Sequence, residues 1–263
     1  IRNLMPASTR LYVTYLVGGP TEVRMFSLDG KALGALGADP VASVRVAERL
    51  QGDAILFSSV GFARPTTCFL FDPAKPEAKP ERTKLIDPPG FVKEAELDGY
   101  EVRRAMAVSK DGTQVPVNIV HRKGLVLDGS HPTLLTGYGG YSISSSPYFD
   151  PKTIFWLRHG GVLVEANLRG GGEFGETWHR AGNLTRKQNV FDDFIGCAQF
   201  LIQKGYTSRE KLAIEGGSNG GLLMGAVLTQ RPELFKAVVS HVGIYDMLRV
   251  ELTPNGAFNV TEF

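Results

Sequence analysis

The sequence predicts an α/β domain preceded by a smaller all-β segment. Three observations carry this reading. Short alternating strands fill residues 1–83, strand and helix then alternate, and a glycine-rich turn at 216–221 sits between a strand and a helix. The first strands fall at 11–17 and 22–28, the latter closed by Asp29-Gly30, then at 54–60 and 67–71, stopped by Asp72-Pro73. Their β-branched and aromatic content with period-two alternation favours strand. Four such strands suit one propeller blade or part of a sandwich, and no internal repeat chooses between the two. A Pro- and Lys-rich stretch at 72–80, followed by Asp87-Pro88-Pro89-Gly90, marks a boundary.

Beyond that boundary the pattern changes. Residues 102–108 and 115–120 read as a strand pair joined around Asp111-Gly112, and 133–135 and 161–166 as short buried strands of parallel-sheet type. Over 191–204, Phe194, Ile195, Ala198, Leu201 and Ile202 recur at helical spacing. Asp192 and Asp193 lie in the first turns and Gly205 follows the last, which are helix signals at both ends. A strand at 211–215, a helix at 220–230 and a strand at 237–240 complete the alternation.

At 263 residues the chain is long enough to bury roughly three quarters of its unfolded surface. Its 29 Lys+Arg against 27 Asp+Glu leave a formal charge of +2, too little field to gather nucleic acid or an anionic membrane. The two cysteines, Cys68 and Cys197, form no CxxC and no Cys/His ligand spacing, so neither a disulfide framework nor a zinc site is expected; a reducing compartment is compatible. No apolar run approaches the ~18 residues of a membrane span, and the amino end has no signal-peptide architecture. The chain starts without Met and stops at Phe263 without a helix or strand terminus, so it reads as a segment of something longer. Histidines 121, 131, 159, 179 and 241 lack HxxxH or HExxH spacing, and each reads as a surface or packing residue rather than a metal ligand.

The strongest chemical signal is Gly216-Gly217-Ser218-Asn219-Gly220-Gly221, a G-x-S-x-G match in a strand-turn-helix context. Such a turn strains its central residue and exposes the hydroxyl, while the flanking glycines let the backbones pass without Cβ clashes. Ser218 is therefore the candidate nucleophile. The backbone N–H of Asn219, at a helix N-terminus, is the candidate first donor of an oxyanion hole. The bland alternative is a Gly/Ser turn that merely caps a helix. Gly137-Tyr138-Gly139-Gly140-Tyr141 follows the strand at 133–135, where such folds supply the second donor; Tyr138 is then a hydroxyl donor or a half-buried packing residue, and spacing leaves both open. Gly170-Gly171-Gly172-Glu173-Phe174-Gly175 matches a dinucleotide fingerprint, but 176–188 lack the apolar stripe of the helix that would hold a pyrophosphate, and no nucleotide cofactor is expected. After Ser218 the chain offers Asp246 and no later histidine, so no Ser, Asp, His order closes within it.

With these residues in hand, the sequence resembles the prolyl oligopeptidase family of serine peptidases. The likeness runs from about Leu85 to Asp246 and is most specific at 137–140, 167–175, 187–194 and 216–221. It implies a partial α/β-hydrolase domain at 84–263, preceded at 1–83 by the last blades of a β-propeller. It implies Ser218 as nucleophile, Asn219 and Tyr138 as oxyanion donors, and Tyr141 in a pocket for the substrate proline. The catalytic Asp and His and a substrate-binding Arg would lie C-terminal to this chain, leaving the segment alone inactive. The family stacks a Trp on the proline shortly after the segment matching 243–248; here the stretch 256–263 holds no Trp, and Phe258 is the candidate substitute or else a plain core residue. The expected function is hydrolysis of short peptides after proline, with a broader oligopeptidase, an acylaminoacyl hydrolase or an esterase as alternatives. The resemblance further implies a cytoplasmic monomer, with neither nucleic acid nor membrane as partner.

Overall fold

Period-two patterning in the first eighty residues produces two four-stranded antiparallel meanders. The first runs β1 (Asn3–Pro6), β2 (Arg10–Leu16), β3 (Thr21–Ser27), β4 (Ala32–Ala35), and the second β5 (Ser43–Arg49), β6 (Ile55–Gly61), β7 (Arg64–Phe71), β8 (Glu81–Arg82). The four strands expected from sequence are β2, β3, β6 and β7, the central pair of each sheet, so they belong to two sheets and not to one blade. Apart from β5 the remaining strands are short and largely exposed, and a strand with no buried side leaves no alternation to read. Tyr12, Val23, Met25, Val44, Val46, Ile55, Phe57 and Phe71 form one core between the sheets. Thr21 ties them, its Oγ1 donating to the Val44 carbonyl at 2.8 Å and accepting the Val44 N–H at 2.6 Å.

This computed structural model describes residues 1–36, 39, 41–86, 90, 93–253 and 256–263. Of the boundary marker at 87–90, residues Asp87, Pro88 and Pro89 lie outside the described residues. Two compact units emerge, 1–100 with 146–153, and 101–145 with 154–263. The first ends with a single helical turn, α1 (Glu94–Leu97).

The second unit is built on a six-stranded sheet. Its strands are β9 (Tyr100–Val108), β10 (Gln114–Arg122), β11 (Thr133–Gly137), β12 (Val162–Ala166), β13 (Leu212–Gly217) and β14 (Ala237–His241), in spatial order β14-β13-β11-β12-β10-β9. Strand β11 runs parallel to both β12 and β13, and β13 parallel to β14, whereas β10 meets β12 antiparallel. The helices are α2 (Pro151–Arg158), α3 (Glu176–Arg180), α4 (Gln188–Gln203) and α5 (Asn219–Gln230). Helix α4 starts three residues earlier than its apolar spacing predicts and buries Val190, Phe194, Cys197, Ala198 and Leu201 completely. Removing Phe194 alone from water stabilises the fold by about 2–3 kcal/mol. These side chains join Val117, Ile119, Leu135, Val164, Leu212, Ile214 and Met224 in the core of this unit. Because parallel strands carry both β11 and β13 outward on the same side, the loops after them, 137–141 and 217–219, meet at one end of the sheet.

A polar row crosses the buried β10–β12 surface. Arg104 Nη1 donates to Asn118 Oδ1 at 2.8 Å, Asn118 Nδ2 to Asn167 Oδ1 at 3.0 Å, and Asn167 Nδ2 to the Ser145 carbonyl at 2.8 Å. The neighbouring Glu165 carboxyl is pushed up to about 7 by burial, with the Ser145 side chain opposing and the Glu173 charge adding to the rise. Folded Glu165 thus keeps a proton that the unfolded chain loses near its ordinary value, so stability from this group is greatest at acid pH and falls as pH rises through that window. Glu165→Gln is expected to flatten this fall between pH 5 and 8 by roughly 2–3 kcal/mol, read from urea midpoints of the two proteins at each pH. Parallel curves for the two proteins would remove Glu165 as the cause.

Candidate active site

Strand β13 ends in two glycines and α5 begins immediately after Ser218, leaving one residue to turn the chain. Ser218 does this at φ 58°, ψ −119°, a region that side-chain-bearing residues rarely occupy. The bend is held from both sides: the Ser218 N–H donates to the His241 carbonyl at 2.9 Å, and its carbonyl accepts the Leu222 N–H at 3.0 Å. A Cβ on Gly216 would come within 2.5 Å of the Gly220 carbonyl oxygen, so the turn closes only with glycine there. The outcome is an exposed Ser218 directly followed by a buried Asn219 in the first turn of α5, whose N–H groups point out of the helix end.

Across from it stands the loop after β11. The Ser218 side chain lies close enough to act on the Tyr138 phenol. Burial raises the Tyr138 phenol above its ordinary value, the nearby Ser218 side chain opposing and the Glu262 charge assisting, so the phenol keeps its proton to donate through neutral and mildly alkaline pH. The loop is pressed against the elbow with no room to spare: a Cβ on Gly140 would meet Asn219 Nδ2 at 2.6 Å. Behind it lies the third glycine cluster, where a Cβ on Gly170 would meet the Gly139 carbonyl at 2.6 Å. The dinucleotide-like fingerprint is therefore a close-packed backing for the 137–140 loop. Asn219 Nδ2 donates to the Tyr138 carbonyl at 2.6 Å, fastening loop to elbow.

Tyr141 continues the same loop at φ 55°. Its phenol is pushed up to about 12 by burial, with the Glu262 and Tyr138 charges adding to it, and its hydroxyl donates to Asn259 Oδ1. Phe258 lies with its ring centroid 5.8 Å from that of Tyr141 and is 61% exposed, so it is not a core residue. Phe263 meets Tyr141 edge-on at 5.9 Å. Neither Trp joins this group: Trp156 Nε1 bonds the Val162 carbonyl and Trp178 Nε1 the Leu168 carbonyl. Ser218, Asn219, Tyr138, Tyr141 and Phe258 thus gather at one end of the sheet. His241 Nε2 turns to Glu215 Oε1 at 2.9 Å.

Sequence reasoning missed four members of this neighbourhood: Asn259 and Phe263, which border Tyr141, and Lys187 and Glu262, which lie beneath the loop. Lys187 stood inside a segment that carried the family resemblance, but no local pattern told what it would touch. Among the described residues no cluster of His, Cys, Asp or Glu could hold a metal ion, and no helix is long and apolar enough to cross a membrane.

A profile of the prolyl oligopeptidase family matches residues 147–263. A prolyl endopeptidase from Dictyostelium discoideum is 37% identical over 257 residues, covering 97% of this chain and 33% of that protein. A solved structure from a study of two prolyl endopeptidases superposes with a TM-score of 0.87 at 39% identity, covering 99% of this chain and 38% of the other. A post-proline cleaving enzyme from Rickettsia typhi gives 0.82 at 32% identity, covering 99% and 37%. The chain spans about a third of the length of the curated relatives it matches.

Proposed function

Because the chain belongs to the prolyl oligopeptidase family, with a partial α/β-hydrolase domain preceded by blades of a β-propeller, we propose that it carries the nucleophile and oxyanion hole of a serine peptidase that cleaves short peptides after proline. In this proposal residues 1–83 are the C-terminal part of the propeller and 84–263 the N-terminal and central part of the catalytic domain. The protein works as a cytoplasmic monomer. The observation that carries the reading is the strained, exposed Ser218 at the strand-to-helix elbow, with the Tyr138 loop fastened to that elbow by the Asn219 side chain.

Ser218 Oγ attacks the scissile carbonyl carbon while its proton passes to a histidine base, itself oriented by an aspartate; the family resemblance assigns both to sequence beyond this chain. The carbonyl π bond opens and its electron pair settles on oxygen, where the Tyr138 O–H and the Asn219 N–H donate to it. Collapse of the tetrahedral species breaks the C–N bond, the amine leaves with the proton, and water hydrolyses the resulting ester by the reverse sequence. Tyr141 and Phe258 line the pocket for the residue before the cleaved bond. The tyrosine hydroxyl bonded to Asn259 and the absence of Trp beside it favour, as a second reading, an oligopeptidase that accepts residues besides proline.

Parallel assays of a proline-containing peptide, its alanine counterpart and a simple ester, run on the longest form of the protein that carries this chain, separate these readings. Hydrolysis of the ester alone would overturn the peptidase assignment. In the same protein Tyr138→Phe is expected to lower kcat by about 10²- to 10³-fold with little change in KM, as for loss of one oxyanion donor. An unchanged kcat would remove Tyr138 from the hole.

A further inference from the structure

Beneath the oxyanion loop lies a buried cation that the reaction just described does not use. Lys187, in the turn before α4, has a side chain only 12% exposed. Its ammonium donates to three oxygens, the Gly139 carbonyl at 3.1 Å, Asn219 Oδ1 at 3.0 Å and Glu262 Oε1 at 3.1 Å. An ammonium has three donors and no acceptor, so three protons meet three oxygens. Those oxygens belong to separate pieces of the site. Gly139 follows Tyr138, Asn219 follows Ser218, and Glu262 lies three residues after Asn259, the partner of the Tyr141 hydroxyl.

The donor-only character of the ammonium has a geometric effect on Asn219. The amide atom facing Lys187 must be the oxygen, which leaves Nδ2 to donate to the Tyr138 carbonyl. The backbone on the carboxyl side of Tyr138 is thus gripped twice: its own carbonyl by Asn219, and the next carbonyl by Lys187. Burying an ammonium is costly unless it is paired, and the Glu262 carboxylate, 1% exposed and also bonded by His179 Nε2 at 3.0 Å, supplies the opposite charge. An apolar side chain would fill the same space without that cost, so the pair has to be explained by what it holds.

We propose that Lys187 is a positioning residue for the oxyanion hole: its ammonium fixes the 137–140 loop against the Ser218–Asn219 elbow, so that the Tyr138 hydroxyl and the Asn219 N–H converge on one oxygen. It does not touch substrate. The proposal rests on the hydrolase reading above and deepens it. Misplacing a catalytic donor by about 1 Å can cost up to about 10²-fold in rate, and Lys187 acts on that distance.

The test is a double-mutant cycle on kcat in the longest form of the protein that carries this chain, with each rate normalised to the serine labelled by a fluorophosphonate. Lys187→Met is expected to lower kcat by about 30-fold with KM changed less than about 3-fold. Once Tyr138 is already Phe, the same substitution is expected to cost less than about 3-fold, because the donor it positions is gone. Equal losses in both backgrounds would overturn the proposal, since a merely structural lysine is blind to the phenol. If Lys187→Met yields no labelled protein, Lys187→Arg, which keeps the charge, carries the same cycle with a loss of about 5-fold that again disappears beside Tyr138→Phe. A parent protein that is neither labelled nor active overturns the hydrolase reading and this inference with it. An active parent with additive losses overturns this inference alone.

Discussion

In the longest form of the protein that carries this chain, replacing Ser218 with alanine is expected to lower kcat for a proline-containing peptide by about 10⁶-fold while peptide binding persists. The size follows from the chemistry: without Oγ there is no acyl-enzyme, and an oxyanion hole with no covalent partner retains only a residual acceleration. On the proposed pocket roles, binding should survive because Tyr141 and Phe258 lie in segments separate from the nucleophile and keep their own contacts. The measurement is a single-turnover assay beside a fluorescence titration with the same peptide. Residual turnover above about 1% of the parent would mean that the nucleophile is another group.

The second large effect is on stability. Arg169→Met is expected to destabilise the unit built on the six-stranded sheet by about 3–5 kcal/mol, lowering its thermal midpoint by roughly 10 °C. Arg169 is buried between two carboxylates. Nη2 reaches Asp193 Oδ1 at 2.6 Å, Nε reaches Asp193 Oδ2 at 3.0 Å, and Nη1 reaches Asp111 Oδ2 at 2.6 Å. Its own backbone N–H also donates to Asp193 Oδ2 at 3.1 Å. Asp193, in the second turn of α4, is wholly buried, so removing the guanidinium strands a carboxylate in the core. Pairing Arg169→Met with Asp193→Asn should recover part of the loss, because the stranded charge is gone. Calorimetry on the three proteins reads this directly. A single-mutant loss below about 1 kcal/mol would show that the pair is not holding the fold.

How much of this was legible in the sequence depends on how far apart the cooperating residues lie. Helix α4 is visible because its apolar positions repeat within sixteen residues, and the elbow because its strand, turn and helix are contiguous. Helix α2 escaped notice although Asp150, whose carboxylate takes the Lys152 N–H at 2.9 Å, and Pro151 are start signals; eight residues left too short a stripe to register. Strand β5 alternates as Val44 and Val46 in, Arg45 and Ala47 out, but its charged outward residues masked the pattern. The pairing of Lys187 with Glu262 spans 75 residues and that of Tyr141 with Asn259 spans 118. No local periodicity encodes such partners, since the fold alone decides which turns arrive at the same place. The same holds for Arg169 and its two acids, which the sequence presents as three unrelated charges.

The glycine contacts at 140, 170 and 216 have a practical consequence for redesign. At 170 and 216 main chain lies on main chain, and at 140 it lies on the buried Asn219 amide, so a library that diversifies those positions would return mostly misfolded clones. The aromatic rim of Tyr141, Phe258 and Phe263 is made of side chains with solvent on one flank, and a change of preferred residue can be sought there by swapping ring sizes. On the proposed roles, reactivity and selectivity would then sit on separately mutable parts of the same crevice, the one frozen and the other open to engineering.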